Sequence, residues 1–389
     1  MEPLAWNIEN EPLMNQAQSP LFQLPRELRD LVFEYALTDC KLDSWENKLR
    51  RNESRFKFKP MNLLYHDIAI DLLRTCRAVY FETWTLPLSL NPYVIYDLHG
   101  PRRSGMSLDR ILPWQLALVG SLDITISQTA LEGNTLLNYL HRNKTWQASE
   151  RHKGVYFAPR CYKTTRRVHA MSEYTSSFNF AILPADKSAP RHFLSHVLGT
   201  HDLYPGDAEP PWSSAMRVMM AKPLTSLTLR LQHTDWWTWT DHPDSLDRRH
   251  YLGLDPSVGD GSAEPGRRPT ATSMQLLASQ RRDSNLHPNP PLETGWLQTI
   301  AALPDLQQLE LVLETFKEKE KQLDVVVDCA KTWVFPITGE KWELVWDGKV
   351  GMSSWSIEMG KEKGTKWFDK ASVFVVRRMR FVRRRVVVG

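Results

Sequence analysis

Three segments of this chain share one pattern, LxxLxLxL, and that pattern limits the fold more than any other feature of the sequence. Val119, Leu122, Ile124 and Ile126 align with Leu224, Leu227, Leu229 and Leu231, and with Leu306, Leu309, Leu311 and Leu313. Alternation over the last three positions puts these side chains on one face of an extended strand. A stretch of helical character and a proline precede each copy: SLDRILP to Pro113, SSAMRVMMAKP to Pro223 and TGWLQTIAALP to Pro304. Helix, proline, strand is thus the repeating unit. It predicts three one-sided strands in one sheet, paired parallel or mixed, with helices over the apolar face.

The pattern resembles the strand segment of leucine-rich repeats, but the copies lie much farther apart than the about 20–29 residues of that repeat, so no regular horseshoe is expected. After Lys331 the period becomes two: Trp333, Phe335 and Ile337, then Trp342, Leu344 and Trp346, then Trp355 and Ile357. Gly339-Glu340 and Asp347-Gly348 read as two-residue hairpin turns, which predicts a C-terminal antiparallel meander with a tryptophan-rich inner face. Between these blocks, residues 253–272 hold eleven Gly, Pro, Ser or Thr and no aromatic residue, the composition of a disordered loop.

The N-terminal part reads differently. Residues 1–20 carry Pro3, Pro12 and Pro20 without a period and read as a flexible arm. In LFQLPRELRDLVFEYAL, Leu24, Leu28, Leu31, Val32, Tyr35 and Ala36 follow helical spacing, with Pro25 suited to the first helical position. Residues 41–60, with seven basic and three acidic side chains, read as a solvated insertion. A second helix is predicted from about Asp67, with a stripe of Ile68, Leu72, Cys76, Val79 and Thr83.

These two helices also carry a resemblance. Leu24-Pro25-Arg26-Glu27-Leu28-Arg29 with Val32-Phe33, then Thr75-Cys76-Arg77 with Tyr80 and Glu82, then the short strand NPYVIYD, together resemble a fungal F-box-like family of unsettled function. The likeness spans residues 21–96. It implies that Leu24, Pro25, Leu28 and Leu31 dock on the small adaptor subunit of a cullin-RING ubiquitin ligase. Packing of the two helices against each other uses the same stripe, so the sequence leaves both readings open.

No reaction is legible. HTDWWTWTDHPDSLDRRH gathers His233, Asp235, Asp241, His242, Asp244, Asp247 and His250, types that bind a divalent metal when three or four converge. There is no HExxH, and Pro243 breaks any common helical face, so a polar loop is expected, with His242 and Asp244 the first ligands to check. Glu264 stands where a dinucleotide loop needs its third glycine, Gly348-Lys349 lacks a phosphate-loop context, and no GxSxG occurs, so no cofactor is expected. Trp236, Trp237 and Trp239 cannot all face one side of a strand, so at least one should be exposed and available for recognition.

Net charge is +4, yet six arginines between Arg377 and Arg385 supply more than all of it, so the rest of the chain sums to −2 and nucleic-acid binding by the body is not expected. Order is predicted to about Val376. Residues 377–389 then form either an exposed basic tail read by import receptors or a set of gatekeepers on an edge strand. The start of the chain lacks an apolar leader, no segment reaches a membrane span, and Cys40, Cys76, Cys161 and Cys329 form no CxxC, which together predict a cytoplasmic or nuclear protein. The expected whole is an α+β or mixed α/β protein: an F-box-like helical element over 21–96, then an α/β domain over 97–376. Its expected role is noncatalytic protein–protein interaction, possible as a ligase adaptor or as a stand-alone structural protein, with an enzyme built on the His/Asp cluster as a third reading.

Overall fold

The computed structural model describes residues 13–38, 68–95, 118–133, 224–245, 250–257, 268–283, 295–303, 305–337, 341–357 and 372–386, with a few isolated positions and two-residue strands between them. The chain begins with α1 (Pro20–Gln23) and α2 (Arg26–Leu37), followed by a 3-10 turn at Ile70–Arg74, α3 (Arg77–Thr83) and α4 (Leu86–Leu90). Next come β1 (Tyr93–Ile95), β2 (Ser121–Thr125) and α5 (Gln128–Glu132). The two-residue strands β3 (Val155–Tyr156), β4 (Ala158–Pro159), β5 (Phe180–Ala181) and β6 (Arg217–Val218) lead to β7 (Ser226–Leu231). The remainder is α6 (Ala271–Asp283), α7 (Leu297–Ala301), β8 (Gln308–Phe316), α8 (Glu320–Ala330), β9 (Val334–Pro336), β10 (Trp342–Ile357) and β11 (Ser372–Arg385).

Seven strands form one mixed sheet in the order β1-β2-β7-β8-β11-β10-β9. The first four are parallel and the last four run antiparallel to their neighbours. All three LxxLxLxL segments are therefore adjacent strands of one sheet, and their leucines are in register. Leu122 lies opposite Leu227, Leu227 opposite Leu309, and Leu309 opposite Phe381. A second row runs Ile95, Ile124, Leu229, Leu311, Met379. These side chains share one buried core with Met274 and Ala278 of α6, Leu297 and Ile300 of α7, and Leu323, Val326, Val327 and Ala330 of α8. The opposite face carries Asp123, Thr228, Arg230 and Glu310. There the Arg230 guanidinium donates to both Asp123 carboxylate oxygens at 2.5 and 2.6 Å.

Helices precede the strands only in part. α7 stands before β8 as the repeat predicts, but the stretch before β7 includes the two-residue strand β6, which pairs with β3. Residues 107–113 lie outside the described residues.

The C-terminal end departs most from the sequence reading. Residues 377–385 are not an exposed tail: β11 continues through Arg385 and is an interior strand between β8 and β10, while 387–389 lie outside the described residues. Successive arginines project to opposite faces, so Arg377-Arg378 does not stop the strand. Arg377 faces the apolar side and is buried, where its guanidinium donates to Asp324 (3.1 Å) and Glu320 (2.7 Å) of α8. On the other face Arg378 pairs with Glu310 at 3.5 Å and Arg384 donates to Glu343 at 2.7 Å. Asp347-Gly348 is likewise not a hairpin turn. It is a bulge inside the sixteen-residue β10, with Gly348 at φ +89° and the ladder resuming at Val350 opposite Met379. β9, β10 and β11 still form an antiparallel meander. Of its tryptophans, Trp333 is buried in the core, whereas Trp355 occupies the opposite face and stacks on Phe374. Gly339-Glu340 lies outside the described residues.

The expected disordered loop at 253–272 is ordered at both ends, while 258–267 lies outside the described residues. Asp255 is fully buried and accepts from Arg281 of α6 at 2.8 and 2.9 Å, and its carbonyl accepts from the Trp296 indole at 3.0 Å. Burial works against the charged carboxyl, but Arg281 and the Ser257 donors outweigh it and hold the pKa below the usual carboxylate value. A composition rule could not register one buried ion pair that anchors the segment.

Two outcomes test this architecture. A chain ending at Val376 should fail to fold, seen as loss of a cooperative thermal transition, because β10 and β8 would then lose the strand that joins them. Leu229→Ala, at the centre of a five-strand apolar row, should cost about 2–5 kcal/mol in denaturant unfolding.

Candidate functional site

Two surfaces gather chemistry. The first is the N-terminal helical element. Leu24 is extended because it precedes Pro25. The predicted single helix therefore divides into α1 and α2, with Pro25 as N-cap of α2 rather than its first residue. The second predicted helix divides too: Cys76, at φ −158° and ψ 163°, is the N-cap of α3. Within this element Phe33 and Leu37 of α2 are buried, as are Val79 and Thr83 of α3. The Arg29 guanidinium joins the helices by donating to both Glu82 oxygens at 3.1 and 2.9 Å. The Asn91 amide donates to the Leu37 and Pro87 carbonyls.

This packing uses the wrong face for the sequence stripe. Leu28, Leu31, Val32 and Tyr35 are 48, 61, 45 and 77% exposed, while Leu24 is half-buried and Pro25 exposed. α2 thus has two apolar faces: Phe33 and Leu37 pack, and the i, i+3, i+4, i+7 stripe faces outward. The insertion 41–60 lies outside the described residues.

The second surface is the carboxyl edge of the parallel strands, the usual location of binding sites in such sheets. The loop after β7 holds all three candidate tryptophans. Trp236 is buried and its indole donates to the Glu314 carbonyl at 2.7 Å. Trp239 packs partly against the core. Trp237 is 45% exposed, with the Arg268 guanidinium 4.6 Å from its ring centroid. Buried polar groups hold this loop from both sides. Gln128 of α5 accepts from the Trp237 amide and donates to Glu132 at 2.7 Å, and Arg268 donates to Glu132 at 2.9 Å. Burial pushes the Glu132 carboxyl above its ordinary pKa, against the pull of Arg268. On the other side the buried Lys319 amine donates to the Thr238 carbonyl. Burial lowers its pKa to about 8, with Asp241 opposing.

The His/Asp cluster does not converge. His233 meets the buried Glu314 at 2.6 Å, His250 meets Asp241 at 3.0 Å, and His242 meets Asp244 at 3.7 Å, while Asp247 lies outside the described residues. Glu314 is also taken up by the Trp355 indole at 2.9 Å. Among the described residues no three His, Cys, Asp or Glu could hold one metal ion. Nor is any helix among them long and apolar enough to cross a membrane. Sequence reasoning missed Gln128, Glu132, Arg268 and Lys319. They come from three separate segments, α5, the stretch before α6 and the start of α8, one of them read as disordered, and no spacing links the three.

Comparison with protein-family models, curated proteins and solved structures gave no match.

The depressed Lys319 pKa has a testable sign. Between about pH 8 and 10.5 the unfolded chain holds a proton at this amine that the folded chain has released, so the unfolded state binds more protons and stability rises with pH. Denaturant unfolding across that window should show the wild type gaining stability relative to Lys319→Met. Parallel pH profiles would contradict the buried amine.

Proposed function

We propose that the protein is a noncatalytic protein–protein interaction module whose N-terminal helical element docks a partner subunit. One observation carries this reading: α2 satisfies its packing through Phe33 and Leu37, yet presents four further large apolar side chains outward on a single stripe. Exposed apolar stripes of this kind seat in hydrophobic grooves of partner proteins. Glu27 and Glu34 lie exposed on the same helix among these residues, while Asp30 pairs with Arg26, so a groove with basic groups at its rim suits it. Leu24, Pro25, Leu28 and Leu31 are also the positions that the F-box-like resemblance assigns to docking, and that resemblance makes the adaptor subunit of a cullin-RING ubiquitin ligase the first partner to try. The larger domain would then hold a target, with Trp237 beside Arg268 as its recognition residues.

Leu28→Asp with Leu31→Asp should abolish co-purification of the partner while moving the thermal midpoint little, since both side chains already face solvent. Phe33→Asp, at a buried position, should unfold the element instead. A large loss of stability in the double variant would show that the stripe is packed, and would end the docking reading.

A further inference from the structure

We propose that the outer edge of β10 from Val350 to Ile357 is a self-association surface, on which a second copy of this chain adds as an antiparallel strand about a two-fold axis. β11 pairs with β10 along this whole length, but on the other side β9 covers only Glu343–Val345. Beyond the bulge, β10 has no strand partner on that side among the described residues. An edge of this kind presents a row of backbone N–H and C=O groups, a template for another strand.

Native edges are normally blunted by lysine, proline, brevity or a bulge. The run VGMSSWSI has no charged residue and no proline, and its bulge lies before it rather than within it. Gly351, Ser353, Ser354 and Ser356 present small side chains to an approaching strand. Met352 is 72% exposed, a large apolar group that a neighbouring strand would cover.

The occupant follows from what this edge lacks. Directly opposed residues of an antiparallel pair share a face of the sheet, so the two-fold axis must pass through a residue. Centred on Met352, Ser353 or Ser354, the segment meets its own copy with no charge opposed to a like charge. An edge carrying lysine would repel itself, and this one does not. The nearest arginines, Arg377 opposite Met352 and Arg378 opposite Gly351, lie one strand inward on β11, and Arg377 is already paired with Glu320 and Asp324. The two β11 strands would stand three strand spacings apart, about 14 Å, beyond a screening length of about 8 Å. Two-fold pairing uses the edge in both copies, so the assembly closes at two. A single strand pair sits at the low end of interface sizes, below about 1,200 Å², which makes the dimer weak and concentration-dependent.

Sedimentation velocity of the full chain from low to high micromolar concentration tests this. The wild type should shift from monomer to dimer, and Met352→Lys and Ser354→Lys should each remain monomeric with an unchanged thermal midpoint. Single cysteines at Met352, Ser353 and Ser354, mildly oxidised against the wild type as background, should give one strongly cross-linked dimer, at the residue on the axis. A wild type that stays monomeric, a dimer that both lysine variants leave intact, or three cysteines that cross-link no more than background would each overturn the proposal. Should a lysine variant lower the thermal midpoint, the cysteine series decides.

Discussion

The fold depends on the last strand of the chain. β8 and β10 are brought into one sheet only because β11 lies between them, paired to β8 from Phe374 to Val382 and to β10 from Ser372 to Arg385. Without it the parallel strands and the β9–β10 hairpin would be two fragments, each with an open edge. β11 can fill this position because Met379 and Phe381 continue the leucine rows of β2, β7 and β8 into the meander, and Val375 joins the same core. Of the arginines on that face, Arg377, Arg383 and Arg385, only Arg377 is buried, and burying it is tolerable only with partners at hydrogen-bond distance. Glu320 and Asp324, one turn apart on α8, supply them and also tie that helix to the sheet.

Placement of the tryptophan loop follows from the same register. β7 ends in the middle of the parallel half, so the loop after it is flanked by α5 on the β2 side and by the start of α8 on the β8 side. Gln128 and Lys319 reach it from those neighbours, and Glu314 at the end of β8 holds its base through His233. With Trp236 buried and the loop backbone bonded on both flanks, Trp237 has its ring turned outward against Arg268.

The N-terminal element shows why an amphipathic stripe is ambiguous. Helical spacing identifies which residues share a face, but not whether that face meets the molecule's own core or someone else's. In α2 one apolar set is buried and the other is exposed on the same helix. The shorter set, Phe33 and Leu37, is sufficient to pack against α3 and α4, assisted by the Arg29–Glu82 pair, and the longer set is left outside.

Local periodicity by itself determined a good part of this protein. The one-sided strands, their common sheet, the helical character of α2 and the antiparallel meander all follow from alternation or 3.6-residue spacing, which depend only on near neighbours in the chain. Tertiary structure decided the rest, because the deciding contacts join residues far apart in sequence. Arg377 reads as tail until Glu320 and Asp324 neutralise it in an interior strand. Gly253 to Ser257 reads as the start of a disordered loop until Arg281 pairs with Asp255. Asp347-Gly348 satisfies a turn and a bulge equally well, and only the continued pairing of Val350 with Met379 chooses between them. Gln128, Glu132, Arg268 and Lys319 carry no signal in the sequence, since a buried polar group is recognisable only by the partners that bury it.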